Sequence, residues 1–465
     1  MLSNGTIPAV AGGLRTRTFD SAENARRKVV KYVFWVYWIL IFEGALRKWA
    51  FPQFHEVIFF LRDPIVLLIY FIAWRHHLIK RSGLLTAGVV IAFLFVPLML
   101  VQHLVIDMNV FTLLYGWRMY FFYLPLIFVI KDTFQHDDIN RLIRHTLYVS
   151  IPLSVLVYFQ YISPPSSFVN AAYSDGHVFI VANNIVRTTG TFTFTAGQTM
   201  FCASLIAMLI FVWLYRKRFP TFSMPWLLAA SGSAITTLLL SGSRTAFFMA
   251  ALVVMATFFG LFFTRGVQRK LTGVAILVLL LGVATLLFLG PFRNSFDALD
   301  TRFKQADAQE GSAIRRAFYP VFAFTDRLVT TQVIGHGLGY GTSGGSKLAT
   351  GKIRIVLPED ELSRVVMEVG PAFGLLYIGY RIFFSLILFG RCIRSAREDN
   401  LLPMILLGFI GFYMLAGNVT QTGTVHGYNW IFIGLTMAAM RAPSEIERSQ
   451  KVGLSPGIAS VGRSK

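Results

Sequence analysis

Charge is scarce in this chain. Only 14% of its 465 residues are Asp, Glu, Lys or Arg, and the 23 acidic residues are outnumbered by 43 basic ones. An ordinary soluble domain is about 25% charged, so the several soluble domains that the length alone would allow are not expected. Cysteine is almost missing. Cys202 and Cys392 lie in or beside different apolar segments, so no disulfide bridge is expected between them. A signal-peptide cleavage pattern is absent as well: the first apolar stretch, Tyr32 to Phe42, runs into Arg47-Lys48 rather than into small residues, and it reads as an uncleaved first span. No internal repeat of the kind that marks inverted-repeat transporters is visible.

What the chain has in quantity is apolar length. Hydrophobic residues make up 55% of it, with 44 phenylalanines. A helix needs about 20 apolar residues to cross the hydrocarbon core. Twelve stretches qualify as predicted spans: 31–49, 57–74, 84–104, 111–130, 142–162, 192–214, 224–241, 245–263, 271–289, 371–390, 401–419 and 426–441. The expected fold is an all-α polytopic membrane protein with one large, partly helical loop. Its predicted organisation is an N-terminal tail (1–30), helices 1–9 (31–289), a loop domain (290–370), helices 10–12 (371–441) and a C-terminal tail (442–465).

The net charge of +20 is spread as short basic clusters between spans, not as a stripe on a soluble surface. Nucleic acid is therefore not an expected partner; the lipid bilayer is. Arg26-Arg27-Lys28, Lys80-Arg81, Arg216-Lys217-Arg218 and Arg391 with Arg394 and Arg397 all fall on one side of the predicted topology, as do both termini. The positive-inside rule makes that side the cytoplasm. The loop 291–370 and the polar stretch 163–191 are then extracytoplasmic.

Ionisable residues inside predicted spans carry a cost of about 2.5–3.5 kcal/mol or more, and they invite explanation. Glu43, Arg62, Asp63 and Arg118 lie at a shared depth in the outer halves of the first, second and fourth spans. They are expected to form one polar cluster in which the two carboxylates neutralise the two arginines, either as a structural network or as part of a site. Arg381 lies near the middle of its span. Arg187 precedes Thr188-Thr189-Gly190-Thr191-Phe192, and Arg244 follows Ser241-Gly242-Ser243. A guanidinium beside Gly, Ser and Thr at a helix end suits an anion such as phosphate or diphosphate, with snorkelling to lipid headgroups as the alternative.

The loop 291–370 holds an arginine pair (Arg315, Arg316), a glycine run around His336 (Gly335 to Gly341) and an acidic cluster (Glu359-Asp360-Glu361). The glycine spacing fits neither a dinucleotide fingerprint nor a P-loop; it reads as a tight backbone path near a ligand, or as a structural turn. His76-His77 and His336 lack partners at metal-ligand spacing, and no hydrolase nucleophile elbow is present. No metal or cofactor is expected.

The order of these features carries a resemblance. Arg-Thr-Thr-Gly-Thr-Phe (187–192) opens a span, and Ser-Gly-Ser-Arg-Thr-Ala (241–246) sits on a tight turn. A large loop with Arg315-Arg316, a Gly-x-Gly-x-Gly (335–339) and Glu368-Val369-Gly370 then lead into the next span. Over roughly residues 30–440 the chain resembles the O-antigen ligase and Wzy-type polysaccharide polymerase superfamily. The resemblance implies a plasma (inner) membrane glycosyltransferase for exopolysaccharide or O-antigen. Its donor would be a polyprenyl-diphosphate-linked saccharide such as undecaprenyl diphosphate carries, its acceptor a glycan, and other polysaccharide-assembly proteins possible partners. Arg187, Arg244, Arg315 and Arg316 would bind the donor diphosphate. Glu361, Glu359, Glu368 and His336, in that order, are the expected general-base candidates. Ligases carry a His-Asn pair shortly before Glu-x-Gly; here Glu359-Asp360 stands instead, which favours polymerase over lipopolysaccharide ligase. A lipid-linked saccharide transporter is the non-enzymatic alternative.

Overall fold

The computed structural model describes residues 10–172, 186–264, 323–352 and 356–441. The predicted span 271–289, the arginine pair Arg315-Arg316 and residues 290–322 and 353–355 of the predicted loop domain lie outside the described residues.

Among the described residues the fold is helical, with no strands. Eight helices are long and apolar enough to cross a membrane: α1 (Ser21–Ala50), α2 (Pro52–Arg75), α3 (Gly83–Ile106), α4 (Val110–Thr133), α5 (His136–Ile162), α6 (Thr195–Leu214), α8 (Arg244–Leu261) and α11 (Glu361–Arg397). Three shorter ones complete the bundle: α7 (Met224–Leu239), α12 (Leu402–Leu415) and α13 (Gly423–Ala439). Two further helices, α9 (Phe324–Thr330) and α10 (Ser343–Thr350), lie between α8 and α11 in sequence. This is a membrane protein. Phenylalanine, leucine and valine cover the outward faces of α2, α3 and α11, as lipid contact requires.

Element boundaries follow local chemistry. α5 begins before the predicted 142 because Asp138 Oδ2 accepts the Gln135 N–H at 3.1 Å and holds a polar first turn outside the apolar run. α3 ends where Asp107 turns left-handed (φ 50°) and its successor Met108 bonds back to Gln102 O. α1 and α4 each contain a π-helical turn, Leu46–Ala50 and Arg118–Phe122. Such bulges break the ordinary hydrogen-bond ladder and are frequent at functional sites. These two carry Arg47, Lys48 and Arg118.

α11 is bent at Gly370 (φ 80°, ψ 166°), immediately before Pro371. A side chain at 370 would run into the Val333 carbonyl, and proline removes the N–H that would close the helix. The bend is therefore a glycine–proline break. It divides a polar arm from the membrane-crossing part.

Lipid tails are as apolar as leucine, so close packing and internal hydrogen bonds hold the helices together. Hydrogen bonds between connections sort into two sets, one at each end of the bundle. At one end Lys48 donates to Gly190 O (2.8 Å), Thr188 to Leu240 O (2.9 Å), Arg62 to Gly423 O (3.1 Å) and Gln102 to Ile334 O (2.7 Å). At the other end Arg26 donates to Thr133 O (2.9 Å), Tyr215 to Asp399 O (2.8 Å), Asn400 to Ala439 O (2.6 Å) and Arg441 to Lys131 O (2.9 Å). Cys202 and Cys392 are separate, buried and free.

Candidate functional site

The first end of the bundle opens into a cavity of about 1200 Å³. Its wall is assembled from the α1–α2 junction, the segment before α6, the starts of α6, α8 and α10, the residues just before α11, and the end of α12 with the α12–α13 connection. Cations Arg47, Arg187 and Lys347 and acids Glu56, Glu359 and Asp360 line it, together with the amides Asn418 and Gln421 and several phenylalanines. Charged groups and aromatic rings in one concave wall suit a ligand with an anionic part and an apolar part.

Arg187 is held by its neighbourhood rather than by a helix of its own. The turn that follows it packs on α1 at Gly44, where a Cβ would strike the backbone of residues 191–193. Thr191 Oγ1 donates to Ile41 O (2.5 Å), and Lys48 Nζ donates to Thr189 Oγ1 (3.0 Å) as well as to Gly190 O. From α5, Gln160 accepts the N–H groups of Thr189 and Gly190 and donates to Gly190 O. The bond from Thr188 to Leu240 O links this turn to the one that precedes α8. Arg244 opens α8 between two wall residues, Ser243 and Thr245. The motifs around Arg187 and Arg244, distant in sequence, thus meet at one end of the bundle, with Arg187 on the wall and Arg244 between wall residues.

Glu43, Arg62, Asp63 and Arg118 form two ion pairs behind the wall. Arg62 Nε lies 3.0 Å from Glu43 Oε2, and Arg118 engages Asp63 through Nε (2.6 Å) and Nη2 (2.8 Å). Glu43 is shared with Arg47 (3.1 Å), one helical turn further along α1. All three guanidinium groups sit over the Phe59 ring, at 5.5, 6.0 and 5.1 Å for Arg47, Arg62 and Arg118. Phe59 and Arg47 reach the cavity wall; Arg62 is 1% exposed.

The four base candidates part company. Glu361 and Glu368 are both fully buried in one network along the arm of α11. Arg364 pairs with Glu361 through Nη2 and with Glu368 through Nη1 (3.0 Å). Arg381, from beyond the helix break, reaches Glu361 at 3.0 Å and donates to the carbonyls of Tyr413 and Met414 at the end of α12. Glu368 also accepts from Tyr120 Oη (2.8 Å) and from the N–H groups of Gly339 (3.0 Å) and Gly341 (2.9 Å). The glycine run is therefore a backbone cradle for a buried carboxylate. Its close approach at Gly335 faces the Glu368 carbonyl, where no side chain fits.

His336 is tied to the same arm. Its Nδ1 lies 3.0 Å from Met367 O; a carbonyl only accepts, so Nδ1 carries the proton. Only Glu359 among the four stands exposed on the cavity wall. Asp360 beside it caps α11 by accepting the Ser363 N–H at 3.0 Å. Among the described residues, no three His, Cys, Asp or Glu side chains converge as a metal site requires.

Sequence reasoning did not single out Arg47, Lys48, Lys347, Glu56, Asn418 or Gln421 as site residues. Glu43 and Arg47 carried a signal, since they are four residues apart and so share a helix face. Lys347 and Glu56 form an ion pair between α10 and the α1–α2 junction, which no spacing announces. Comparison of the chain with protein-family models, with curated proteins and with solved structures finds no match.

Proposed function

We propose that this protein is a glycosyltransferase that polymerises polyprenyl-diphosphate-linked oligosaccharide repeats at the extracytoplasmic face of the plasma membrane. The observation that carries the reading is the cavity itself. Arg187, from a motif that resembles the O-antigen ligase and Wzy-type superfamily, lies on its wall, the Ser-Gly-Ser-Arg turn adjoins it, and Glu359 stands on the same wall. In this topology α7, α12, α13 and the stretch 271–289 join the eight long helices as the remaining spans. The basic clusters at the opposite end of the bundle support a cytoplasmic assignment for that end.

The chemistry asks little of the protein. The acceptor hydroxyl attacks the anomeric carbon of the donor, forming the new glycosidic C–O bond. The bond from that carbon to the diphosphate oxygen breaks, and the polyprenyl diphosphate leaves with the electron pair. Glu359 takes the hydroxyl proton, a role worth about 10²–10⁴-fold. Arg187 stabilises the charge that develops on the leaving diphosphate, and its planar fork fits phosphate oxygens in pairs. Glu361 and Glu368, whose oxygens are occupied by arginines, backbone N–H groups and hydroxyls, shape the arm that presents Glu359.

Reconstitution in liposomes with a polyprenyl-diphosphate oligosaccharide tests the reading. A ladder of products is expected. A single adduct on a lipid acceptor would make the protein a ligase, and consumption of no donor would end the enzymatic reading.

A further inference from the structure

We propose that the anionic end of the cavity's ligand is held by the converging N-termini of α6, α8 and α13 and by the hydroxyls of Ser243 and Thr422. The proposal rests on the donor-site reading only for the name of the ligand. Helices of 20, 18 and 17 residues begin on this wall. Each helix start presents N–H groups with no partner inside the helix and about half a positive charge, so three such ends on one cavity favour an anion.

The hydroxyls supply the independent observation. Serine or threonine at an N-cap ordinarily accepts an N–H from the first turn. Ser243 and Thr422 hold the N-cap positions of α8 and α13, and neither side chain makes that bond. Ser243 is 4% exposed, and no hydrogen bond engages its Oγ among the described residues. Thr422 is half-buried, and its Oγ1 has no hydrogen-bond partner among the described residues. Thr195, in the first turn of α6, is 5% exposed on the same wall. An unbonded hydroxyl at a helix start can donate to a ligand oxygen in the cavity.

The wall's acids do not compete for this place. Glu56 is paired with Lys347, and Asp360 is occupied in capping α11. Glu359 is left for the acceptor side. The ligand chemistry is thus a phosphate-type oxyanion, and the phenylalanines of the wall favour one attached to a lipid over a free ion.

Binding to the purified full-length protein tests this, with farnesyl diphosphate and inorganic diphosphate as probes. Ser243→Ala and Thr422→Val should each weaken farnesyl diphosphate binding about tenfold or more. Ser243→Thr and Thr422→Ser, which keep the hydroxyl, should retain it. Melting temperatures should not fall, because no internal hydrogen bond is lost; that separates a ligand contact from a structural one. Tighter binding of inorganic diphosphate than of farnesyl diphosphate would overturn the lipid-linked assignment. Unchanged affinity in the Ser243→Ala/Thr422→Val double variant, or no binding of either probe to the wild type, would overturn the proposal. A ladder from the wild type with unchanged binding in the variants would sink this inference alone. Hydroxyl-dependent binding without any glycan product would sink the glycosyltransferase reading alone.

Discussion

Replacing Glu361 by glutamine isolates what the buried network does. In the wild type, two guanidinium groups (Arg364, Arg381) face two carboxylates (Glu361, Glu368), with Glu361 serving both arginines and also accepting from Thr420 N (3.2 Å) and Oγ1 (3.1 Å). Glutamine keeps the shape and removes one negative charge, leaving two buried cations with one partner. Breaking a buried pair from one side costs about 3–5 kcal/mol, and the two arginines make the upper part of that range the expectation. Thermal unfolding of purified protein should show a melting temperature well below wild type, and polymer yield should fall with the amount of folded protein. Glu361→Gln combined with Arg381→Met restores the charge balance, so the double variant should be less destabilised than the two single effects summed. Contacting charged residues commonly couple by about 0.5–3 kcal/mol. Wild-type melting of Glu361→Gln together with abolished catalysis would refute the structural assignment and return Glu361 to the role of base.

Four further outcomes are expected. Glu359→Gln should melt like the wild type and lower the polymerisation rate about 10²–10⁴-fold, without loss of donor binding; an unchanged rate removes Glu359 as base. Arg187→Ala should weaken donor interaction about 10-fold to 100-fold, as loss of a charged hydrogen bond implies, and Arg187→Lys should rescue poorly because lysine lacks the planar fork; full rescue would speak for a simple point charge. Lys48→Met should raise the donor KM with little change in kcat and no fall in melting temperature, since it frees the turn after Arg187 while removing a buried ammonium; an unchanged KM would deny the positioning role. Gly44→Ala should destabilise by about 1–3 kcal/mol, because the added carbon meets backbone that cannot yield; unchanged unfolding would mean that the turn moves freely on α1.

Parts of the site were legible as spacing. Glu361, Arg364 and Glu368 sit at intervals of three and four residues, and a helix turns such residues onto one face. That pattern marks a self-satisfied ionic stripe more readily than a catalytic base, and it separates Glu361 from its neighbour Glu359. Similarly, the positive φ of Gly335 (70°), Gly337 (118°) and Gly339 (83°) explains the glycine run as backbone geometry. The identity of what it wraps, the Glu368 carboxylate, depends on a helix that begins later in the chain.

The sequence by itself determined that this is a membrane protein built of helices, because an apolar run long enough to span lipid must satisfy its own backbone and has no other compact way to do so. It also determined that arginines stand at helix ends beside small and hydroxylated residues. Only the tertiary structure decided that the turn after Arg187 is hydrogen-bonded to the turn before Arg244, that Glu359 stands on the cavity wall while Glu361 and Glu368 turn inward, and that Ser243 and Thr422 leave their caps unmade. The physical reason is common to all three. Spacing along a helix fixes which face a side chain shares with its near neighbours, whereas what that face meets is fixed by the packing of helices far apart in the chain.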